Sequence, residues 1–383
     1  MEKVTLDCDI ALAGGGLSAG LIAYAVSQRH PELDLRIVDQ CEKLGGNHVW
    51  SFFDSDIAPE NRWIVEPLIC HRWQGYDVQF PARSRTLNAV YNSIESERLD
   101  EVLRADLPAG HILTGTITDL SPTQISLADG RTISARLVID ARGPSDLSVL
   151  QSGWQKFVGQ ALTIKGGHGL LRPIVMDATV PQIDGYRFVY CLPFDAETVF
   201  VEDTYYSDTP DLDVPAIRAR IADYAHAKGW SVAQTGREET GILPVIIGGD
   251  FRNYWKSSGQ VIEKSGLRAG LCQPVTGYSL PDAVRLAARF AADPLPKPGT
   301  TFSYALKLWK ARGFYRMLDA MLFRAAAPAE RYRILQRFYG LSEGLIARFY
   351  AGHSTWADKL RVLAGKPPVP IGRAIRAILE KRQ

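Results

Sequence analysis

The chain has 383 residues, of which 46% are hydrophobic and 22% are charged, with a formal net charge of +2. This composition is ordinary for a globular protein and excludes a disordered one, and the length allows two subdomains. Five scattered cysteines without CxxC spacing favour reduced thiols, and seven histidines without HxxxH or HExxH spacing exclude the common zinc motifs. No metal site is therefore expected.

The N-terminal segment, residues 4–39, is predicted to form a strand, a tight glycine turn, a helix and a second strand. Gly14, Gly16 and Ala19 fit the G-x-G-x-x-G/A pattern, which brings a pyrophosphate to the N-terminus of a helix. Asp39 ends the second strand, where an acid can bind a ribose hydroxyl. Residues 10–27 carry no charge, but their four glycines argue against a membrane span. This segment therefore predicts a dinucleotide-binding unit.

Residues 92–140 are predicted to form a helix followed by an antiparallel meander. The helix is expected over residues 92–107, with Asn92 and Glu95 as a possible capping pair. Two of the following strands are expected to be joined by a turn at Asp129 and Gly130, because this residue pair favours tight hairpins. The meander then returns into a longer strand.

Two segments favour FAD as the dinucleotide. The strand after the meander ends in "VIDARGP", which resembles the flavoprotein hydroxylases, and its residues matching the cofactor-binding strand end are Asp140, Arg142 and Gly143. The segment "SGLRAGLCQPVTGYSLPDAVRLAARFA" resembles their second flavin segment, a loop, here with Pro274 and Gly277, that leads into a helix facing the isoalloxazine. A helix N-terminus at this place would favour negative charge on the flavin. A surface arginine is the alternative for Arg142.

Residues 160–239 contain β-rich runs that are expected to form a sheet covering the flavin. The run "TVFVEDTYY", residues 198–206, alternates like a half-buried strand and carries two adjacent acids. Because neighbouring strand residues point to opposite faces, Phe200 and Glu202 share one face and Asp203 lies on the other. One of the two acids is therefore aimed at a site.

The last part of the chain, residues 301–383, is basic, with sixteen Lys and Arg against five Asp and Glu. Aromatic-rich pieces such as "TFSYALKLWKARGFYRMLDAMLF" have an apolar spacing that suits helices with cationic flanks. Lys307, Lys310 and Arg312 are expected on that cationic surface. It would suit nucleic acid or an anionic membrane, and the alternative is a set of solvated helices packed on the domain.

These elements predict an α/β fold in which a Rossmann-type FAD-binding domain, like that of flavoprotein hydroxylases, is interleaved with a β-sheet substrate domain. The FAD-binding domain is assigned to residues 1–75, 105–160 and 240–300, and the substrate domain to residues 76–104 and 161–239. Residues 301–383 are expected to form a mainly helical, basic region.

The whole chain resembles the bacterial lycopene β-cyclases, a flavoprotein family of carotenoid synthesis. The resemblance rests on "GGGLSAGLIAY", "LGGNHVWSFF", "VIDARGP", "FVEDTYY" and "GLRAGLCQPVTGYSLP", and it runs nearly end to end. It implies an acid-catalysed, redox-neutral cyclisation of the ψ end groups of lycopene, through γ-carotene, to β-carotene. It also implies reduced FAD as cofactor and NADPH as its reductant, although the sequence shows no second G-x-G-x-x-G to hold NADPH.

The resemblance also assigns roles to particular residues. Glu202 matches the family's essential glutamate and is the expected proton donor. Asp203 is a second catalytic candidate, unless regular strand phase makes it a structural hydrogen-bonding residue. The candidates for the substrate lining are His48, Tyr190, Phe200 and Tyr205. An ordinary glutamate has a pKa of about 4.3, so Glu202 needs burial or a nearby anion to stay protonated. Relatives commonly carry Phe-His where this chain has Cys272 and Gln273, so no histidine role is carried over.

Lycopene is insoluble in water, so the resemblance implies docking on a membrane. The basic C-terminal helices are expected to attach the protein peripherally to the inner, cytoplasmic face of the cell membrane, with no nucleic-acid partner. Two rivals stay open. One is a redox enzyme of the same architecture, an FAD- and NADPH-dependent hydroxylase or a polyprenyl reductase. The other is a carrier of carotenoid or flavin, for which replacing Glu202 would leave function intact.

Overall fold

The computed structural model describes residues 5–259, 261–365, 372, 373 and 376. The remaining residues of the predicted basic region, 366–371, 374, 375 and 377–383, lie outside this description. The strands are β1 (Thr5–Ala13), β2 (Leu35–Asp39), β3 (Val49–Phe53), β4 (His71–Phe80), β5 (Arg83–Glu95), β6 (Ile112–Thr114), β7 (Ile117–Ser121), β8 (Gln124–Leu127), β9 (Thr132–Asp140), β10 (Leu150–Ile164), β11 (Ile174–Asp177), β12 (Tyr186–Pro193), β13 (Thr198–Ser207), β14 (Val232–Gly249) and β15 (Glu263–Lys264). The helices are α1 (Leu17–Arg29), α2 (Ser96–Asp106), α3 (Val214–Ala227), α4 (Phe251–Lys256), α5 (Leu280–Ala292), α6 (Thr300–Ala311), α7 (Gly313–Ala320), α8 (Tyr332–Phe338), α9 (Glu343–Tyr350) and α10 (Trp356–Leu363).

The first sheet, as far as the chain is described, has seven strands in the order β6-β2-β1-β9-β8-β7, with β15 also beside β9. β1 pairs in parallel with β2 and β9, while β7, β8 and β9 form the predicted antiparallel meander. Both faces of β1 are buried: Ile10 and Leu12 pack in the core that includes α1 and α5, and Ala11 and Ala13 pack in the core under the meander. The strand, glycine turn and helix therefore lie as in a Rossmann-type unit, which confirms that prediction.

The helix α2 begins four residues later than the sequence predicts. Asn92 and Glu95 lie in β5, and α2 begins at Ser96 with Glu95 as its N-cap. The predicted capping pair is therefore wrong, because Asn92 pairs with residues of β3 and β4 and its Oδ1 accepts a hydrogen bond of 3.0 Å from Nε of Arg72. The predicted turn before β9 is confirmed, with Gly130 at φ +89°.

The second sheet, within the described residues, has eight strands in the order β14-β10-β13-β12-β11-β4-β5-β3. Its strands pair antiparallel except for the parallel pair of β11 and β4. Residues of β12 and β13 alternate between two cores: Phe188 and Phe200 pack toward the C-terminal helices, whereas Val189 and Val201 pack toward α3. The sheet therefore has one face toward α3 and one toward the site described below.

The expected division of the chain differs from the sheet boundaries. Residues 49–53, 71–75, 150–160 and 240–249, assigned to the FAD-binding part, belong to strands of the second sheet. The reason is that β10 and β14 pair along nearly their whole lengths and act as one ribbon. Conversely, α2 was assigned to the substrate part but packs on α1 in the core of the first sheet.

The described part of the C-terminal region is helical, as predicted, and comprises α6 to α10. Lys307 and Lys310 are exposed. The expectation for Arg312 is wrong, because its guanidinium is buried and donates to Oδ1 of Asp282 at 2.8 Å and to the carbonyl of Cys272 at 2.9 Å. None of the helices in the described segments combines the length and apolar character that crossing a bilayer requires.

Candidate active site

A cavity of about 420 Å³ lies between the two sheets. One wall is formed by the glycine turn after β1 and the segment before α5, and the other by β10, β12, β13 and β14. One cavity is therefore lined by the glycine turn, by both predicted flavin segments and by the strand that carries the two acids. Its lining includes Gly16, Asp39, His48, Gly143, Tyr190, Phe200, Glu202 and Gly277.

The glycine turn leaves room for an anion at the start of α1. Gly14 has φ +102°, and a Cβ there would lie 3.1 Å from the carbonyl carbon of Ala141. A Cβ at Gly16, the N-cap of α1, would meet nothing within 4 Å, and no described side chain caps the helix. Ser18 Oγ in the first turn is buried without a hydrogen-bond partner in the described structure. The free N–H groups and this hydroxyl fit a pyrophosphate, and Ala19, wholly buried, packs beneath them.

Asp39 both shapes the glycine turn and lines the cavity. Its Oδ2 accepts a hydrogen bond of 2.6 Å from the backbone N–H of Gly15, and its Oδ1 accepts one of 2.8 Å from that of Cys41. A carboxylate oxygen can accept more than one hydrogen bond, so the predicted contact with a ribose hydroxyl is compatible with these bonds.

Asp140 and Arg142 form a clamp outside the cavity lining. Asp140 is wholly buried, and its Oδ1 and Oδ2 accept hydrogen bonds of 2.9 and 3.1 Å from the guanidinium of Arg142. Arg268 adds a second cation, with its Nε 3.4 Å from Oδ2 of Asp140. Of the three residues predicted at this strand end, only Gly143 lines the cavity. The clamp therefore stabilises the loop that presents Gly143.

The second predicted flavin segment closes the cavity before α5. Gln273 is buried, and its Oε1 accepts a hydrogen bond of 2.6 Å from the backbone N–H of Val275. Pro274 lies inside this turn and outside the lining. Gly277 has φ +70°, and a Cβ there would lie 2.9 Å from Oε1 of Gln155, an oxygen without a hydrogen-bond partner among the described groups. This oxygen is free to accept a hydrogen bond from a cofactor.

Glu202 lies on the cavity face of β13 in phase with Phe200, where the strand pattern predicts it. Its Oε1 accepts a hydrogen bond of 2.6 Å from Oγ1 of Thr204. Burial, and then the negative charge of Glu239, raise the pKa of Glu202 from 4.5 to about 8. The carboxyl group is therefore mostly protonated at neutral pH and can act as an acid.

Glu239, which the sequence analysis missed, faces the same cavity across one strand. Gly159 of β10 pairs with Glu202 on one side and with Glu239 on the other. Neighbouring strands are about 4.8 Å apart, so the two glutamate backbones are about 10 Å apart. Oε1 of Glu239 is 2.8 Å from Nδ1 of His48, and its Oε2 accepts a hydrogen bond of 2.9 Å from the N–H of Val49. The sequence signal was a pair of adjacent acids, residues 238 and 239, but such a pair also occurs at residues 100 and 101 and therefore does not single out the site.

Aromatic side chains form much of the remaining wall. Tyr190 pairs with Glu202 in register and, like Phe200, lines the cavity. Tyr91 and Tyr278, not predicted, line it too, with their hydroxyl oxygens 3.2 Å apart. Tyr205 lies on the opposite face of β13 in the core toward α3, so the structure does not bring it to the cavity.

Asp203 is on that opposite face as well. It is wholly buried, and its Oδ1 and Oδ2 accept hydrogen bonds of 2.8 and 2.9 Å from Nε and a terminal nitrogen of Arg187. Tyr205 donates its hydroxyl to Oδ2 at 2.7 Å. The strand is regular here, without a bulge between β12 and β13, and Asp203 has the surroundings of a structural ion pair.

Comparison with known proteins adds independent information. The family model described as "Lycopene cyclase protein" matches residues 9–376. The chain is 46% identical over 375 residues to the lycopene beta-cyclase of Pseudescherichia vulneris, covering 97% of both chains. It is 43% identical over 376 residues to the lycopene beta-cyclase of Pantoea ananas, covering 97% of this chain and 98% of the relative.

Solved structures with a similar fold include proteins of other named activities. A flavin-dependent brominase has a TM-score of 0.62 at 13% identity, covering 98% of this chain and 99% of that one. A geranylgeranyl bacteriochlorophyll reductase-like protein from Thermoplasma acidophilum has a TM-score of 0.61 at 13% identity, covering 98% and 100%. At this identity the likeness shows the fold alone and confirms the predicted fold class. With the family match and the curated relatives, the resemblance seen in the motifs is confirmed, and the chain belongs to the lycopene cyclase family.

Proposed function

We propose that this chain cyclises the ψ end groups of lycopene into β rings, giving β-carotene through γ-carotene. Three relatives that are 41% to 46% identical over 97% of this chain carry the name lycopene beta-cyclase. The observation that carries the proposal is the position of Glu202, a carboxyl group with a raised pKa on the wall of an aromatic-lined cavity. Protonation of an unactivated alkene requires such an acid.

FAD is the proposed cofactor of this cavity. Two features of the chain fit it: the uncapped N-terminus of α1 with Ser18 suits the pyrophosphate, and the free Oε1 of Gln155 suits a donor group. Asp39 would hold the ribose, while Gly143 and Gly277 border the space left for the flavin. When bound in its reduced form, the flavin supplies negative charge beside the substrate. NADPH is the proposed source of the electrons for that reduction.

The cyclisation begins with proton donation by Glu202. The O–H bond of the carboxyl group breaks and a C–H bond forms at the terminal double bond of the end group, leaving a tertiary carbocation. The neighbouring alkene of the same molecule attacks this cation, which closes the ring and moves the positive charge onto a ring carbon. Tyr190, which pairs with Glu202 in register, and Phe200 line the cavity, and their rings stabilise the cation by cation–π attraction.

The last step is loss of a ring proton, for which Glu239 is the proposed acceptor. The C–H bond breaks, its electron pair forms the ring double bond, and the proton passes to a carboxylate oxygen of Glu239. The two acids lie on one face of the sheet with backbones about 10 Å apart, so both can face the same end group. His48, bonded to Glu239 and 40% exposed, connects this carboxyl group to solvent. Glu202 regains a proton from solvent, so atoms and electrons balance.

Attachment to a membrane surface is proposed for α10. Trp356, Leu360 and Leu363 are 80%, 67% and 44% exposed and recur at i, i+4 and i+7, so they form one apolar stripe on this helix. Lys359 and Arg361 flank the stripe, with Nζ of Lys359 5.1 Å from the ring centroid of Trp356. An apolar stripe with cationic neighbours suits an anionic bilayer. We place the chain on the inner, cytoplasmic face of the cell membrane.

The experiment that tests the function uses purified protein, lycopene in liposomes and chemically reduced FAD without oxygen. We expect wild type to form γ-carotene and then β-carotene, and we expect Glu202→Gln to leave lycopene unchanged while retaining flavin. The pigments are separated by chromatography. Unchanged lycopene with intact, reduced wild type would overturn the cyclase assignment, and equal turnover by the variant would overturn the role of Glu202. Oxygen consumption coupled to NADPH oxidation would identify the hydroxylase instead.

A further inference from the structure

A second cavity, of about 130 Å³, lies between the second sheet and the C-terminal helices. Its sheet wall includes Tyr186 of β12 and Tyr206 of β13, and its helix wall includes Leu318 of α7, Leu335 of α8 and Val362 of α10. The steps proposed above for proton transfer and cofactor binding use none of these residues. The proposed mechanism therefore gives this cavity no role.

This second cavity is apolar even where tyrosines line it. Tyr206 donates its hydroxyl to the carbonyl of Val275 at 2.9 Å, and the hydroxyls of Tyr350 and Tyr339 lie 2.5 Å apart. These hydroxyl groups already have hydrogen-bond partners, so the tyrosines present mainly the apolar atoms of their rings to the cavity. Asp319, which is wholly buried and interacts with a neighbouring arginine, and Arg337 are the charged residues of the lining. The rest of the wall is mostly apolar, and such a wall favours an apolar group over water.

The second cavity adjoins the first on the same side of the same sheet. Thr276 lines both cavities. Glu202 and Tyr206 are four residues apart on one face of β13, a distance of about 13 Å along the strand. Tyr190, Phe188 and Tyr186 follow the same direction along β12, with ring centroids 5.1 and 4.9 Å apart in succession. A continuous aromatic surface therefore runs from the acid to the second cavity.

We propose that the second cavity binds a segment of the linear isoprenoid chain whose end group lies at Glu202. This inference rests on the proposed function. A ψ end group is a small part of a 40-carbon polyene, and the apolar chain beside it must also leave water. The second cavity has the apolar wall that such a chain requires. It begins about 13 Å along β13 from Glu202. Its outer wall includes Leu363, so it reaches the exposed stripe of α10.

The test measures binding rather than turnover. In the Glu202→Gln background, lycopene in detergent micelles is titrated into the flavin-loaded protein, and binding is followed by the absorbance shift of the polyene. Leu318→Trp fills the second cavity, and we expect it to weaken binding at least tenfold. Leu306→Trp is the matched control, because Leu306 is also a half-buried leucine on a C-terminal helix but lines neither cavity. Flavin content and thermal unfolding show which variants fold.

The outcomes separate this inference from the proposed function. Equal binding by Leu318→Trp and Leu306→Trp would overturn the second cavity as a polyene site while leaving cyclisation intact. Absence of lycopene binding in every variant, with no cyclisation by wild type, would overturn the proposed function itself. If Leu318→Trp does not fold, Val362→Phe on the half-buried face of α10 narrows the same cavity from its outer side and is judged by the same tenfold criterion.

Discussion

Glu202 and Asp203 are neighbours in the sequence, yet the fold gives their carboxyl groups different partners. Glu202 faces a cavity and has one hydrogen-bond donor, Thr204, so burial keeps its proton bound. Asp203 faces a core in which Arg187 supplies two hydrogen bonds and a compensating charge. A buried ion pair of this kind is costly to break, whereas a desolvated carboxyl group without a neighbouring cation holds its proton more tightly. The chemical difference therefore comes from strand phase and from one arginine.

The pH dependence of turnover follows from the raised pKa of Glu202. Its protonated form is the active acid, so turnover should be constant below a pH of about 8 and fall about tenfold per pH unit above it. In Glu239→Gln the neighbouring negative charge is removed, which lowers the pKa of Glu202 and moves the alkaline limb to lower pH. If Glu239 is the proton acceptor, the maximal rate should also fall by about 10²- to 10⁴-fold. Turnover of liposomal lycopene from pH 6 to 10 measures both effects.

Glu238→Gln is the control for this pH profile. Glu238 is adjacent to Glu239 but ion-paired with Arg218, with its Oε2 2.7 Å from Nε of Arg218. Its replacement changes the charge of the protein equally without removing a group from the cavity wall. An alkaline limb for Glu239→Gln that coincides with those of wild type and Glu238→Gln would contradict the coupling of the two glutamates.

At the scale of elements, the site depends on β10 as the strand between the two acids. Gly159 pairs with Glu202 and Glu239 on its two sides, and it carries no side chain on the face between them. The ring of Phe200 occupies that place, since a Cβ on Gly159 would lie 2.3 Å from its Cζ. The glycine is therefore required by the close approach of the Phe200 ring to the backbone of β10.

Gly159→Ala should displace the Phe200 ring and disturb the cavity wall. Overpacking of this kind costs about 1–3 kcal/mol of the free energy of unfolding, and we expect cyclisation to fall further than this loss of folded protein explains. Gly236→Ala is the matched control, because Gly236 lies in neighbouring β14 and a Cβ there would meet Ala161 at an ordinary 3.5 Å. Denaturant unfolding and turnover per folded molecule measure the two effects. Equal behaviour of both variants would contradict this account of Phe200.

At the scale of the molecule, the cavity belongs to neither sheet alone. The first sheet presents the glycine turn and Asp39, the second presents Glu202 and Glu239, and the C-terminal helices close the space beside them. Arg331 of this helical region is wholly buried and donates to the carbonyl of Tyr206 at 3.1 Å, which fixes the helices to β13. The predicted helical region is therefore a wall of the second cavity as well as the proposed membrane contact.

We expect the protein to need the apolar stripe of α10 in order to bind a bilayer and take up lycopene from it. Replacing Trp356 and Leu360 together by glutamate places two charges on that stripe, so we expect binding to anionic liposomes to fall at least tenfold. Turnover of liposomal lycopene should fall with it, whereas turnover from detergent micelles should persist. Leu171→Glu is the control, since Leu171 is 90% exposed in a loop outside the C-terminal helices. Sedimentation with liposomes equal to that of wild type would contradict the docking surface.

The sequence by itself determined the glycine turn, the order of elements around it and the strand face on which Glu202 lies. Each depends on local spacing: Gly14, Gly16 and Ala19 set a turn, and the alternation around Glu202 sets its face. Only the tertiary structure decided that Glu239 lies across Gly159 from Glu202 and that Tyr205 points away from the cavity, because strand register joins residues distant in the chain. Burial was also a tertiary outcome: Arg312 looks like a surface cation in sequence, but Asp282 binds it inside the protein, since pairing lowers the cost of burying both charges.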